Sequence, residues 1–322
     1  MVGDINALAD LSVQYLSRLS GKTVKLMQEP DFTAALSSVL PVLLNREISL
    51  SHIKFGGCFI HQKPKVEFHS SKVTGNNATC EAGDLMILCR QIIDGEERYN
   101  AVIFQIKMHK APFAKPYVIT AHNELIQKEL YSFWPAFDII NGGKTTKFDI
   151  LPKTITPAAQ YMMVRRTGPR TIFSTSYPDS PIELDKYENI GRCVYELVKW
   201  QTGRPITSPD EPNKDEWSKF IWEIVDISKR SVYNRKNVGI SNEPRATGDF
   251  FKMLIQDSSS YNGNVQFFSD RSKREFGNSF KEDEYSSLIE HLKNNQFKYY
   301  ENADESIGMS ILFVDVTEQN RV

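Results

Sequence analysis

The stretch Leu85–Cys89 is apolar at five successive positions. It is bounded by Gly83-Asp84 on one side and by Asp94-Gly95 within a short polar turn on the other. A segment this short reads as a strand buried on both faces. Such a strand needs a layer above it and a layer below it, which argues for an α/β chain. The segment after the turn, Tyr99–Lys110, reads as its partner strand, with Asp94-Gly95 at the tip of a hairpin. Val66 to Met108 is therefore expected to form a meander of three strands. Helical spacing of Ile5, Leu8, Leu11, Tyr15 and Leu19 predicts a first helix that stops at Gly21. A second is expected from Asp31 as N-cap through Leu44, with Pro41 as a kink. Gly56-Gly57 suggests a bend or bulge in a strand.

Downstream, HNELIQKELYSFWPAF reads as a helix with an apolar stripe of Leu125, Ile126, Leu130, Phe133 and Trp134, which Pro135 is expected to end. FDIL and AQYMMVRR are strand candidates. Helices are expected around Glu183–Gly203, Lys214–Val232, Arg245–Gln256 and Glu282–Asn295, and a last strand over Met309–Thr317. The expected organisation is a core over residues 1–175 and a mainly helical region over 176–322 that recognises substrate or partner.

The chain has 322 residues and a formal net charge of −1, which excludes a uniformly basic nucleic-acid coat. Charge is nonetheless uneven. Ala101–Arg170 holds ten Lys/Arg against four Asp/Glu, which reads either as scatter on a solvated face or as a surface that meets phosphates. No apolar run approaches the ~20 residues of a membrane span, so no membrane partner is expected. The N-terminus does not read as a signal peptide. Cys58, Cys80, Cys89 and Cys193 form no CxxC and are too few for a disulfide scaffold, so a reducing cytoplasm is the expected setting. GxxxxGK[ST] and GxSxG are both absent. His52, His61 and His69 match no zinc spacing, and the basic run Ser228–Asn237 reads first as a helix end. Trp200, Trp217 and Trp222 are expected in the core or at an interface.

The chemistry concentrates between Glu81 and Tyr131. Gln105 and Lys107 lie two apart on a strand and share a face, whereas Val102, Phe104 and Ile106 point the other way. A buried lysine needs a carboxylate, and Asp84, at the start of the neighbouring strand, is well placed to supply it. Glu81 lies on the way in. Asp84, the Gln105 amide oxygen and the main-chain oxygen of Ile106, with Glu81 in reserve, make a set of hard oxygen donors suited to Mg²⁺ or Mn²⁺. An ion there would acidify water and offset phosphate charge, with Lys107 beside the developing oxyanion. The plainer alternative is a cross-strand ion pair between Asp84 and Lys107, with no chemistry.

Gly83-Asp84, Gln105-Ile106-Lys107 and the helix that follows resemble the PD-(D/E)XK nuclease superfamily, whose members mostly have Asp or Glu where this chain has Gln105. A QxK form is familiar among Mrr-like restriction nucleases. RecB-like members carry QxxxY on the next helix, and Gln127–Tyr131 matches it, with both side chains on one helical face. Only one other [DEQ]xK triplet occurs, Gln296 to Lys298, and no buried strand led by an acid precedes it.

The resemblance spans about residues 31–170. It implies a restriction-endonuclease-like core, with a mixed central sheet flanked by helices. It also implies a metal-dependent endonuclease or related DNA hydrolase in bacterial restriction or anti-phage defence. Asp84, Gln105, Lys107, Gln127 and Tyr131 would be its site residues, and Asp84, Gln105 and Glu81 its metal ligands. Glu47 is the best candidate for the glutamate that the family often carries on its first core helix. DNA is the implied partner. An ATPase partner fits a chain without a P-loop, and a homo-oligomer is compatible with the family. Gln105 keeps open a second reading, a nuclease fold that binds nucleic acid or protein without cutting.

Overall fold

The computed structural model describes residues 2–48, 52–60, 63–109, 117–141, 144–167, 170–178, 188–235, 247–259 and 307–317. The predicted helix over Glu282–Asn295, His61 and the Gln296–Lys298 triplet lie outside them.

Helix α1 spans Val2–Ser20. A second helical run combines α2 (Glu29–Ala34), one wide π turn (Ala35–Val39) and α3 (Leu40–Glu47). Its start differs from the expected Asp31 cap. Gln28 is the N-cap, and the Asp31 carboxylate accepts from the Gln28 amide at 2.7 Å, so Asp31 closes a capping box one turn in. Pro41 falls at the start of α3, directly after the π turn that joins it to α2.

The strands are β1 (Ile53–Cys58), β2 (Lys65–His69), β3 (Asn77–Glu81), β4 (Leu85–Ile93) and β5 (Glu96–His109). Helix α4 (His122–Phe133) follows, then β6 (Phe137–Asn141), β7 (Lys144–Phe148), β8 (Ala159–Thr167), β9 (Arg170–Ser176) and β10 (Glu188–Asn189). The remainder is α5 (Ile190–Val198), β11 (Arg204–Ile206), α6 (Glu216–Arg235), α7 (Thr247–Ser259) and β12 (Ser310–Thr317). The region beyond residue 176 thus supplies three described helices and three strands. One of those strands, β12, runs through the main sheet.

The main sheet has the order β1-β12-β4-β5-β8-β9-β10, with β11 joined to the early part of β5. It is mixed. β4 pairs antiparallel with β5, while β5 runs parallel to β8 and β12 parallel to β4. The β4–β5 turn is the expected two-residue loop, and Asp94 and Gly95 both take positive φ, as a hairpin of this length requires.

The three-strand meander is not found. β2 and β3 pair with each other and join β6 and β7 in a separate four-stranded sheet. Their half-buried, alternating pattern suits a covering layer, whereas β4 needs cover on both faces.

β4 has that cover. Leu85, Ile87 and Cys89 enter one hydrophobic cluster with α1, α2, α3 and α5. Met86 and Leu88 enter the other, with α4, α6, α7 and the second sheet. β5 divides in the same way: Val102, Phe104 and Ile106 face the first cluster, and Ala101 and Ile103 the second. Trp217 and Phe220 of α6 pack against Trp134, with Phe220 also on Phe137 and Phe148, so the expected core role of Trp217 holds. No helix among the described residues is long and apolar enough to cross a membrane.

Gly56 and Gly57 do not make a bulge. They pair in register with Phe313 and Leu312 of β12. Their value is close approach: a Cβ on Gly57 would lie 2.1 Å from the Ser37 carbonyl oxygen and 2.8 Å from that of Ile311. Two backbones confine the position, so no side-chain rotation relieves it. Gly57→Ala is expected to lower unfolding free energy by at least about 2 kcal/mol, measured by urea denaturation.

Candidate functional site

The site is built where the β4–β5 hairpin meets the second sheet and the N-termini of two helices. Asp84 begins this meeting point. Its amide donates to the Phe104 carbonyl at 2.8 Å, which extends the β4–β5 ladder by one step. Its carboxylate is fully buried. Oδ2 accepts from Gln105 Nε2 at 2.5 Å and from the Ile106 amide at 2.6 Å. Asp84 and Gln105 are thus brought together, as the strand pattern requires. It is the N–H of Ile106 that meets the acid.

The cation that balances Asp84 is not Lys107. Lys63 Nζ lies 2.5 Å from Asp84 Oδ1 and 3.6 Å from Glu81 Oε2. The second sheet delivers it. Lys65 is opposite Glu81 in the β2–β3 register, and the Ala82 amide donates to the Pro64 carbonyl at 2.8 Å. One residue further back, Lys63 lies alongside Asp84. Burial works against its ammonium, but Asp84 and Glu81 outweigh that cost and hold its pKa above the usual lysine range.

Lys107 takes its anions elsewhere. Its Nζ is 3.5 Å from Glu124 Oε1, in the first turn of α4, and 4.0 Å from Glu29 Oε2, at the start of α2. Glu124 also accepts from the Tyr117 hydroxyl at 2.6 Å, and Glu29 accepts from the Met108 amide at 3.2 Å. The expected Asp84–Lys107 ion pair is therefore replaced by two neighbouring arrangements, Lys63 on Asp84 and Glu81, and Lys107 between Glu29 and Glu124. They share one electrostatic neighbourhood. Burial raises the Glu29 pKa; Lys107 opposes the rise, and Asp84 adds to it. Burial likewise raises that of Glu81, against the pull of Lys63 and with a further push from Asp84.

The helical glutamate near Lys107 is Glu29, at the start of α2. Glu47 ends α3 beside Arg46, 3.2 Å away. The Gln28/Asp31 capping box was the available signal, because it places the helix start at Glu29.

Gln127 and Tyr131 hold the loop that carries the acid. Gln127 Nε2 donates to the Glu81 carbonyl at 2.7 Å, and the Tyr131 hydroxyl donates to the Ala82 carbonyl at 2.9 Å. Tyr131 is fully buried, which drives its hydroxyl pKa well above the usual tyrosine range. Between these anchors and Asp84 sits Gly83, where a Cβ would come within 2.3 Å of Ile103 Cγ2. Helix α4 is fixed in turn by buried Glu129, which accepts from Ser70 Oγ at 2.5 Å and from the Lys72 amide at 3.0 Å.

Three buried polar atoms here have no hydrogen-bond partner: Asp84 Oδ1, which Lys63 meets as an ion pair, Gln105 Oε1 and the Tyr161 hydroxyl. The last two are the ones without any charged partner. They belong to register partners on β5 and β8. An unpartnered buried amide oxygen next to a fixed carboxylate is a donor set that suits a hard cation. Among the described residues no group of three or more His, Cys, Asp or Glu side chains is gathered for a metal. An ion here would lean on Asp84, Glu81, Gln105 Oε1 and water, in the manner of Mg²⁺.

Of the residues weighed as minor candidates, His69 is exposed at the end of β2. Trp222 is buried, and its indole N–H donates to the Thr207 carbonyl at 3.0 Å. That of Trp200 donates to Gln91.

Comparison with family models, with curated proteins and with solved structures finds no match to this chain.

Gln127→Ala and Tyr131→Phe each remove one donor from the 81–82 carbonyls. Each is expected to cost about 1–2 kcal/mol in urea denaturation. Both are also expected to speed hydrogen exchange at the Ala82 amide, which a merely superficial contact would leave unchanged.

Proposed function

We propose that this protein is a metal-dependent nuclease that hydrolyses DNA phosphodiester bonds. The observation that carries the reading is the Asp84–Gln105 pair. A buried carboxylate is locked by the Ile106 amide and the Gln105 side chain, while the Gln105 Oε1 beside it lacks a partner. Oxygen donors held in advance on two strands are what a Mg²⁺ or Mn²⁺ site needs.

Asp84, Gln105 and Glu81 would hold the ion, which would supply Lewis acidity and neutralise phosphate charge. Lys107, held between Glu29 and Glu124, keeps an ammonium at a fixed place on the same strand as Gln105. From there it would stabilise negative charge that grows on the phosphate. Gln127 and Tyr131 act at one remove, by fixing the backbone before Asp84. The basic excess around β5, α4 and β8 favours an approaching polyanion. The likeness of the QxK and QxxxY patterns to PD-(D/E)XK nucleases agrees with this assignment and suggests a role in bacterial restriction or anti-phage defence, in the cytoplasm. An ATPase partner and a homo-oligomer belong to the same proposal.

One observation favours a second reading, a nuclease fold that binds without cutting. The Lys63 ammonium already neutralises Asp84.

Purified protein incubated with plasmid and linear DNA separates the two. The proposal expects cutting with Mg²⁺ or Mn²⁺, none with EDTA, and a loss of at least about a hundredfold in Lys107→Ala. DNA binding without cutting in either metal would establish the second reading instead.

A further inference from the structure

Lys63 lies outside every motif that pointed to the site, yet it makes the closest ionic contact there. Its ammonium touches the Asp84 carboxylate at 2.5 Å, lies 3.6 Å from Glu81 and is largely shielded from solvent. Asp84 Oδ2 is already occupied by Gln105 Nε2 and the Ile106 amide. The remaining oxygen, Oδ1, is the one that Lys63 covers. A divalent ion coordinated by Asp84 would need this same oxygen, and Glu81 is the other carboxylate within reach.

We propose that Lys63 is a built-in competitor for the divalent cation, occupying the cation's place on Asp84 and Glu81 and leaving it when a metal binds. The inference rests on the reading of this site as a metal site. Like charges held on one carboxylate oxygen repel strongly where water is excluded, so ammonium and metal exclude each other. The side chain reaches the site from the segment before β2, a different sheet from the one that carries Asp84 and Gln105. Its four-carbon stem lets the ammonium swing away without moving either strand. Without metal, the ammonium offsets the charge of a buried carboxylate that would otherwise destabilise the fold. The device keeps the site assembled at low metal concentration and sets a threshold for loading.

The test uses the full chain and Mn²⁺ alone. Free Mn²⁺ is followed by electron paramagnetic resonance during titration of wild type, Lys63→Met, Lys63→Arg and Asp84→Asn. Lys63→Met is expected to bind Mn²⁺ at least about tenfold more tightly than wild type, because the competing charge is gone. Lys63→Arg keeps the charge and is expected to bind no more tightly than wild type. Asp84→Asn is expected to lose the site.

Should Lys63→Met fold poorly, the wild-type protein still answers. The ¹⁵N signal of its Lys63 ammonium, followed by NMR from the metal-free state, is expected to vanish or shift when Mg²⁺ saturates the site. Equal Mn²⁺ affinity in folded wild type and Lys63→Met, or a Lys63 signal unmoved at saturation, would overturn the competition and leave the metal reading standing. Absence of Mn²⁺ binding in both folded proteins would overturn the metal reading and this inference together. Binding by Lys63→Met but not by wild type would support the competition and favour the non-cutting fold.

Discussion

A carboxylate with no exposure to water must be satisfied on every side, and the arrangement around Asp84 follows from that need. Two N–H groups from β5 meet one oxygen and an ammonium from the second sheet meets the other. Each partner comes from a different part of the architecture. The β4–β5 register supplies Gln105 and Ile106, and the segment leading into β2 supplies Lys63. Removing any one of them would leave a buried charge short of a partner, at a cost of several kcal/mol. The main sheet and the smaller sheet are therefore tied together at one polar point as well as through the shared apolar cluster.

Helix α4 converts that point into a fixed geometry. Its first turn holds Lys107 through Glu124, its middle grips the Glu81 and Ala82 carbonyls through Gln127 and Tyr131, and Glu129 anchors it to the turn after β2. Helix α2 closes the other side with Glu29. An acid, an amide and an amine are thus presented on the β4–β5 pair, with Glu81, Glu29 and Glu124 brought up to them from β3, α2 and α4. A fold can present such a set for catalysis or for binding. The unpartnered Gln105 Oε1 is the feature on which the proposed cation site rests.

Much of this could be read from local pattern. The five apolar residues from Leu85 announced a strand with two covered faces, and Leu85/Ile87/Cys89 and Met86/Leu88 do divide between two clusters. Alternation on β5 put Gln105 and Lys107 on one face, and an i, i+4 spacing put Gln127 and Tyr131 on another. The residues that escaped are those placed by distant pairing. Lys63 reaches Asp84 only because β2 joins a second sheet, and no periodicity in KPKVEF reveals a partner. Glu29 was hidden by a one-turn error in the helix start, since Asp31 resembles an N-cap when the Gln28 box is overlooked. β12 enters the sheet between β1 and β4 from more than two hundred residues away, so adjacency along the chain misplaced the early strands.

The central claim is that Asp84, Gln105 and Glu81 gather a divalent cation. Diffraction from crystals soaked in Mn²⁺, collected at a wavelength where manganese scatters anomalously, tests it most directly. The account predicts an anomalous peak within about 2.0–2.6 Å of the Asp84 carboxylate, with Gln105 Oε1 turned to it and Lys63 withdrawn. A Lys63 ammonium still seated on Asp84 at saturating Mn²⁺, with no peak beside it, would contradict the account.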